Sequence, residues 1–340
     1  MIVRSKAPLR IGLAGGGTDV SPYSDIYGGA ILNATINKYA YATIIPKKNG
    51  KIVLNSIDKN QKITLDSSKQ LEINGELDLL KGVYNRIVKD YKHQALSFEL
   101  STFVDAPAGS GLGTSSTLVV AILGAFAEWL NLPMGEYDLA NLAFEIERVD
   151  LSMSGGKQDQ YAATFGGVNF MEFYKDNKVI VNPLRIKDEI LHELEFNLVL
   201  YYTETSRFSS SIIDAQTKNV KDKKKESIDA MHKLKEQATM MKDAILTTQL
   251  AKIGEILDFG WQYKKQMAKG ISTPFLDQIY ESAKKNGATG GKISGAGGGG
   301  FMFFYCPINT RYKVIQNLQK MGGKIYEYGF TQKGLTTWTI

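Results

Sequence analysis

The sequence predicts an α+β fold in two domains, and three observations predict it. The chain has 340 residues, 43% hydrophobic and 22% charged, which suits two modest domains or one large one and is ordinary for a globular enzyme. Its first half mixes strand and helix periodicities, whereas its second half turns helical. Between them, Pro183 and a run of charged residues mark a seam near 183–195, so the expected domains are 1–185 and 186–340.

Each element follows from its pattern. Leu79, Leu80, Val83, Ile87 and Tyr91 recur at three to four and predict a helix ending near Asp90. Leu96, Phe98 and Leu100 alternate with polar residues and predict a strand over 96–104. Leu118, Val119, Ile122, Leu123, Phe126 and Leu130 form the stripe of a helix over 116–130. Pro133 is expected in the first turn of a third helix, with Leu139, Ala143, Ile146 and Val149 on its buried face. Ile228, Met231, Leu234, Ala238, Met241 and Ile245 predict an amphipathic helix. Thr273 reads as the N-cap of another, with Pro274 at its first position and Gly287 closing it. Strands follow at 301–305 and 324–327.

Charge and composition exclude several classes. The net charge is +6, part of it from Lys218, Lys221, Lys223, Lys224 and Lys225 against a single Asp222, which reads as a solvated helix face. No arginine-rich arm, zinc-finger spacing or aromatic RNA-reading signature is present, so nucleic acid is not an expected partner. An anionic small substrate suits the balance as well. The one cysteine, Cys306, follows an apolar run and reads as a buried, inert thiol; it rules out an internal disulfide. His93, His192 and His232 are scattered, without metal spacing. The longest apolar stretch, 118–130, is broken by Gly124 and Glu128 and is too short to span a bilayer. With no leader pattern at the N-terminus, a cytoplasmic enzyme without membrane association is expected.

Glycine is the unusual entry in the composition, 33 residues of 340 against a typical share of roughly 7%. Fourteen of them fall in three windows, 12–17, 109–113 and 290–300. Glycine clustered in this way serves backbone geometry or close approach to a ligand.

The stretch Pro107, Ala108, Gly109, Ser110, Gly111, Leu112, Gly113, Thr114, Ser115, Ser116 follows a predicted strand and opens a predicted helix. A helix start offers free N–H groups and the positive end of the macrodipole, so phosphate is the natural ligand; a flexible turn with a Ser/Thr cap is the plainer alternative. It lacks the Gly-Lys-Ser/Thr ending of a P-loop. The loop Gly295 to Gly300 formally contains GxGxxG, but a strand follows where a dinucleotide fold needs a helix. A turn bringing one domain's backbone to a ligand held by the other fits better, with a long hairpin loop as the alternative. Arg10 and Asp19 bracket the 12–17 cluster, where Asp19 is either a turn stabiliser or an acceptor for sugar hydroxyls. Glu147 and Asp159, on either side of Gly155-Gly156, could divide labour between metal and nucleophile or be surface charges.

Taken together, these stretches resemble the GHMP small-molecule kinases. Three signatures appear in order: Lys6 to Asp19, Pro107 to Ser116, and Lys292 to Gly299. Gly15-Gly16-Gly17-Thr18-Asp19 and Gly156-Lys157-Gln158-Asp159-Gln160 look most like sugar kinases, in particular the D-glycero-D-manno-heptose 7-phosphate kinases, and more distantly galactokinases and fucokinases. The resemblance implies a two-domain fold with the active site in the interdomain cleft, and ATP with Mg2+ as cofactors. It implies Asp159 as catalytic base, with Arg10 beside the reacting hydroxyl. Ser115 and Glu147 would be magnesium ligands, and 107 and 109–116 the ATP phosphate loop. Thr18, Asp19, Gly156, Lys157, Gly297 and Gly298 would be substrate contacts. Arg207, Lys157 and Arg148 are candidates to grip a phosphate on the sugar. The implied reaction phosphorylates the anomeric hydroxyl of heptose 7-phosphate to the 1,7-bisphosphate, for nucleotide-activated heptose and surface polysaccharide. The three glycines replace the Gly-Glu-His of galactokinases, against galactose, and Thr114 replaces the usual first serine of the phosphate loop. An unphosphorylated sugar such as fucose or galactose, a mevalonate-type alcohol and a non-catalytic sugar or ATP sensor are the alternatives, with a dinucleotide-binding oxidoreductase disfavoured by the strand after 295–300. Small molecules are the expected partners, with a homodimer kept in view.

Overall fold

The structure, a computed structural model, describes residues 1–92, 94–205 and 209–340, with Ser209 by its backbone only. His93 and Arg207 therefore lie outside the described residues.

Twelve strands form two sheets among the described residues. They are β1 (Val3–Ala14), β2 (Gly29–Pro46), β3 (Lys51–Ser56), β4 (Gln61–Asp66), β5 (Phe98–Val104), β6 (Val168–Phe173), β7 (Val179–Pro183), β8 (Leu198–Tyr202), β9 (Gly290–Ile293), β10 (Phe301–Tyr305), β11 (Lys324–Tyr326) and β12 (Thr336–Thr339). The first sheet has the order β12-β1-β2-β5-β3-β4, and β2 is long enough to pair β5 with one half and β6 with the other, β7 following on β6. All its pairings are antiparallel except β3 with β5. The second sheet is antiparallel, ordered β11-β8-β10-β9.

The apolar run of β10 explains how the sheets are joined. Successive side chains of a strand point to opposite faces, and here both faces are covered. Phe301, Phe303 and Tyr305 join the core that includes Leu32, Ala238, Met241 and Leu257, continuous with the first sheet. Met302, Phe304 and Cys306 join a second core with Trp261, Ile279 and Val314. Cys306 is the buried thiol its setting predicts, fully covered and pushed by burial to about 12.

The helix Thr114–Leu130 crosses β1 and β2 and is buried on nearly every side from Thr114 to Phe126, which fits its high apolar content. The helix capped by Thr273 begins as expected, Leu276 N–H donating to Thr273 Oγ1 at 3.3 Å, and Gly287 follows its end at φ 113°.

Two expectations are corrected. The third helix starts at Glu136, not at Pro133, because Asp138 reaches back to accept from the Gly135 N–H at 2.9 Å, the one half of a capping box that a glycine N-cap allows. The same helix ends at Glu145 and widens into a π-turn, Ile146–Asp150, in which Leu151 N–H reaches back five residues to Ile146 O. The wider turn rotates the apolar stripe out of phase. Ile146 and Glu147 face inward, and Val149, expected inside, is 65% exposed.

The end of the chain returns to the first sheet. Phe330 bridges Ile36, Leu335 packs on Gly124, and β12 pairs with β1 from Val3 against Thr339 to Lys6 against Thr336. β12 covers the edge that β1 would otherwise expose, so the expected 186–340 segment does not stay with the second sheet to its end.

Candidate active site

The three glycine clusters converge on one cleft of about 670 Å³. The middle cluster runs from β5 into the helix Thr114–Leu130. Gly111 and Gly113 sit at φ 87° and 78°, where L side chains are rarely found, and each is also pinned by a neighbour. A Cβ on Gly111 would fall 2.4 Å from the Ser294 carbonyl, and one on Gly113 would fall 3.1 Å from the carboxyl carbon of Asp159. The loop is thus wedged between the third cluster and the helix that carries Asp159.

Gly109, Gly111, Gly113, Thr114, Ser115 and Ser116 line the cleft. The other expected loop residues hold the loop instead. Pro107 O accepts from Ser110 N–H, Ser110 O accepts from Phe301 N–H at 2.9 Å, and Leu112 O accepts from Arg10 N–H at 3.2 Å.

The third cluster links β9 to β10, so it is a hairpin loop that also reaches the opposite sheet's loop. Ser294 Oγ donates to Gly111 O at 2.8 Å. Gly295 and Ala296 face the cleft; Gly297 and Gly298 pack under the loop, with Gly298 N–H on Ile271 O at 2.9 Å. Neither Gly297 nor Gly298, expected as substrate contacts, is among the residues lining the cleft; Gly297 instead packs against the Ile271 backbone.

Arg10, 3% exposed near the end of β1, ties the parts together. Its Nε and Nη2 reach Asp159 Oδ1 at 2.6 and 2.5 Å, and its Nη1 donates to Gly111 O at 2.6 Å. Both contacts with Asp159 use Oδ1. Oδ2 points toward Gly113, a Cβ on which would lie 3.3 Å away. Asp159 stands in the first turn of the helix Gln158–Phe165. Asp19 caps that helix from a distant segment: its Oδ2 accepts from the N–H groups of Lys157 and Gln158 at 2.9 and 3.0 Å. Asp19 also lines the cleft, so both of its expected roles have a geometric basis.

Glu147, on the π-turn, is 1% exposed and lines the same cleft. It accepts from Gln160 Nε2, which also donates to Ser116 Oγ at 3.1 Å. Its nearest cation among the described residues is Arg148, at 3.8 Å. Burial pushes its carboxyl up, opposed by Arg148, Ser116 and Gln160. Arg148 itself is occupied in holding the adjoining loop, through Gly156 O at 3.3 Å and Met153 O at 3.4 Å.

Two expected substrate contacts lie elsewhere. The Thr18 hydroxyl is consumed within its own turn, donating to Gly15 O or Ala30 O and accepting from Ala30 N–H. Lys157 is buried away from the cleft, with Nζ 3.7 Å from Asp25 and over the Phe144 ring.

Two lysines were given no role from the sequence, although Lys292 opens the third signature. Lys264 lines the cleft and donates to Gly16 O at 2.9 Å, and burial lowers it to about 8. Lys292, on β9, donates to Gly12 O at 2.8 Å and is lowered by burial to about 7, with Lys264 and Arg10 adding to the shift. Lys264 shares the buried stripe of Leu257, Trp261 and Met267, and a lysine in that register was the available signal.

The cleft thus offers free backbone N–H groups at a helix start, a buried carboxylate short of counter-charge, and a second carboxylate held by arginine with one oxygen open. These are the elements of anion binding, cation binding and proton acceptance.

Known proteins share this fold. Residues 78–167 match the GHMP kinases N terminal domain, and 241–324 match GHMP kinases C terminal. The chain is 49% identical, over 99% of both chains, to D-glycero-alpha-D-manno-heptose 7-phosphate kinase of Campylobacter jejuni subsp. jejuni serotype O:2. It superposes with a TM-score of 0.84 and 48% identity, over 99% of both chains, on a D-glycero-D-manno-heptose 1-phosphate kinase from Bacteroides thetaiotaomicron. Lactococcus lactis galactokinase, at 20% identity over 98% of this chain and 95% of its own, shares the fold with a TM-score of 0.80. Both halves of the family pattern and near-complete coverage of a half-identical relative establish that the chain belongs to the GHMP kinases, which are ATP-dependent phosphotransferases.

Proposed function

We propose that this kinase moves the γ-phosphoryl group of ATP to the anomeric hydroxyl of D-glycero-D-manno-heptose 7-phosphate, giving the 1,7-bisphosphate. The observation that carries the reading is the Arg10–Asp159 pair facing the glycine loop across one cleft, in a chain half-identical to a heptose 7-phosphate kinase.

Phosphoryl transfer asks a protein mainly for positioning and charge stabilisation. The N–H groups at 113–116 and the dipole of the helix behind them receive phosphate oxygens. Arg10 orients Asp159 through Oδ1, and Asp159 Oδ2 takes the proton of the sugar hydroxyl. Asp19 and Gly156 hold the turn that aims Asp159. Apolar Leu77, Leu79, Leu80 and Leu118 line an adjoining cavity of about 400 Å³ that shares Met153 with the cleft, and this suits the adenine base.

Magnesium fits the residues present. Glu147 is buried, faces the cleft and has no cation nearer than 3.8 Å among the described residues, and Ser115 lines the same cleft at the helix start. These two would hold the ion, and substrate oxygens and water would complete its shell. When bound, it neutralises charge on the β- and γ-phosphates.

The reading divides the chain into 1–185 and 186–340, with the β12 tail returned to the first part. It places the enzyme in the cytoplasm, as a monomer or homodimer acting on small molecules. Among the described residues no helix is long and apolar enough to cross a membrane.

The test is an ADP-release assay across heptose 7-phosphate, heptose 1-phosphate, fucose, galactose and mevalonate, with phosphorus NMR of the product. Heptose 7-phosphate should show the highest kcat/KM and gain an anomeric phosphate resonance. Higher turnover of another acceptor, or a new phosphate at another carbon, would overturn it.

A further inference from the structure

A sugar that already carries a phosphate needs a cationic partner for it, and two of the three cations suggested by sequence are unsuited. Arg148 is committed to the 153–156 loop, Lys157 faces away from the cleft, and Arg207 is outside the described residues. One end of the cleft supplies other groups. Gly17, Val20, Ile213, Gln216 and Lys264 line it.

Lys264 projects there from the helix Ile253–Met267 and Gln216 from the helix Ser209–Lys221. Both are buried, Lys264 2% and Gln216 1% exposed. The only hydrogen bond of the Lys264 ammonium among the described residues goes to Gly16 O, which leaves two N–H groups. Gln216 Nε2 has no partner among the described residues, an expensive state for a buried amide that faces a cavity.

The two heads converge over Gly17. A Cβ there would lie 3.2 Å from Lys264 Nζ and 3.5 Å from Gln216 Oε1, and would strike Met267 Cε at 2.6 Å. The bare backbone at Gly17 is therefore what admits the lysine. A side chain at this position, as in the Gly-Glu-His form of the motif, would fill the space.

We propose that Lys264 and Gln216 form the subsite that grips the phosphate already present on the acceptor sugar, with Gly17 keeping it open. The inference rests on the acceptor being a sugar phosphate, as proposed above, and adds which residues select it. Lys264 supplies charge and Gln216 a neutral donor. The site is built before the ligand arrives, since Gly16 O already fixes the lysine. A phosphate dianion would also offset the burial that lowers Lys264 to about 8, where Asp19 favours and Arg10 opposes the charged form.

The experiment compares wild type with Lys264→Met and, separately, Gln216→Glu, which sets a carboxylate against the dianion. Thermal unfolding checks that each variant folds, and Gln216→Glu carries the test if the lysine variant does not. Steady-state kinetics use heptose 7-phosphate and the unphosphorylated heptose as acceptors. The ratio of their kcat/KM values should fall about tenfold or more in each variant, with KM for ATP within about a factor of two. An equal fall for both acceptors, or a ratio that survives both substitutions, would sink the subsite while leaving the substrate assignment intact. A wild type that prefers the unphosphorylated sugar would sink both.

Discussion

Asp159 depends on contacts made by segments far from it in sequence: Arg10 on its Oδ1, and Asp19 on the turn beneath it. This supports a role in the proton transfer more than in folding, since its own second oxygen carries nothing. Asp159→Asn should lower kcat by about 10²–10⁴ in a protein that still folds but with a lowered unfolding midpoint, because the amide keeps an acceptor for Arg10 yet leaves that buried cation without its counter-charge. Stopped-flow or coupled-assay turnover near that of wild type would remove Asp159 from the mechanism. Glu147 makes a separate prediction. Its carboxylate is buried beside Gln160 and short of a close cation, so Glu147→Gln should raise the magnesium concentration for half-maximal activity by about tenfold or more. An unchanged magnesium titration would show that the carboxylate serves only the fold. Both acids were visible in the sequence as charges flanking Gly155-Gly156, yet their placement at the cleft was not. It depends on a π-turn and on two distant segments, neither of which leaves a mark in the local pattern. Thr18 and Lys157 show the reverse case: polar residues inside motifs, whose side chains the fold turns away from the cleft.

The helix Gln158–Phe165 shows how one element is aimed by another's loop. Its first turn is capped by Asp19, and Gly156 lies so close to that carboxylate that a Cβ would fall 1.9 Å from Oδ2. Gly156→Ala must therefore push Asp19 off the Lys157 and Gln158 N–H groups. Loss of such a cap costs about 1 kcal/mol of stability, and the tilt of Asp159 should cost kcat more than KM for ATP. Chemical denaturation and steady-state kinetics read the two effects separately; a variant with lowered stability and intact kcat would mean that the cap only supports the fold. At this scale the sequence was most legible where the geometry is local. The strand at 301–305, the Thr273 cap and the glycine loops follow from propensity, capping and backbone conformation. Periodicity failed past Ile146, where the turn widens and Val149 swings outward. It also missed the position of Pro133, because the capping pair Gly135 and Asp138 set the start instead.

Across the whole molecule, two sheets share one continuous core and press three cations together at the cleft. Arg10 comes from β1, Lys292 from β9 and Lys264 from the helix Ile253–Met267, so this cluster exists only when both halves are assembled. That makes folding itself sensitive to pH. Burial lowers Lys292 from 10.5 to about 7, and Lys264 to about 8. Between those values and the ordinary lysine range the unfolded chain holds more protons than the folded one, so stability rises with pH through this window. Below about 7 the full penalty of burying the charged form is present. Above it, Lys292 becomes neutral in the fold, and the penalty shrinks. Other groups face the same centre: Asp19 favours the charged form of Lys264, and Arg10 opposes it in both lysines. Cys306, raised by burial to about 12, acts in the opposite direction once the unfolded thiol ionises near pH 9. Because wild type and Lys292→Met share Cys306, their difference reports Lys292 together with its repulsion of Lys264. The variant should gain stability relative to wild type near pH 6.5, and the gap should narrow toward pH 9.5, despite the loss of the bond to Gly12 O. Urea midpoints at the two pH values measure it. Parallel pH curves for the two proteins would mean that Lys292 is charged in the fold across the range, with its cost offset by groups other than those named.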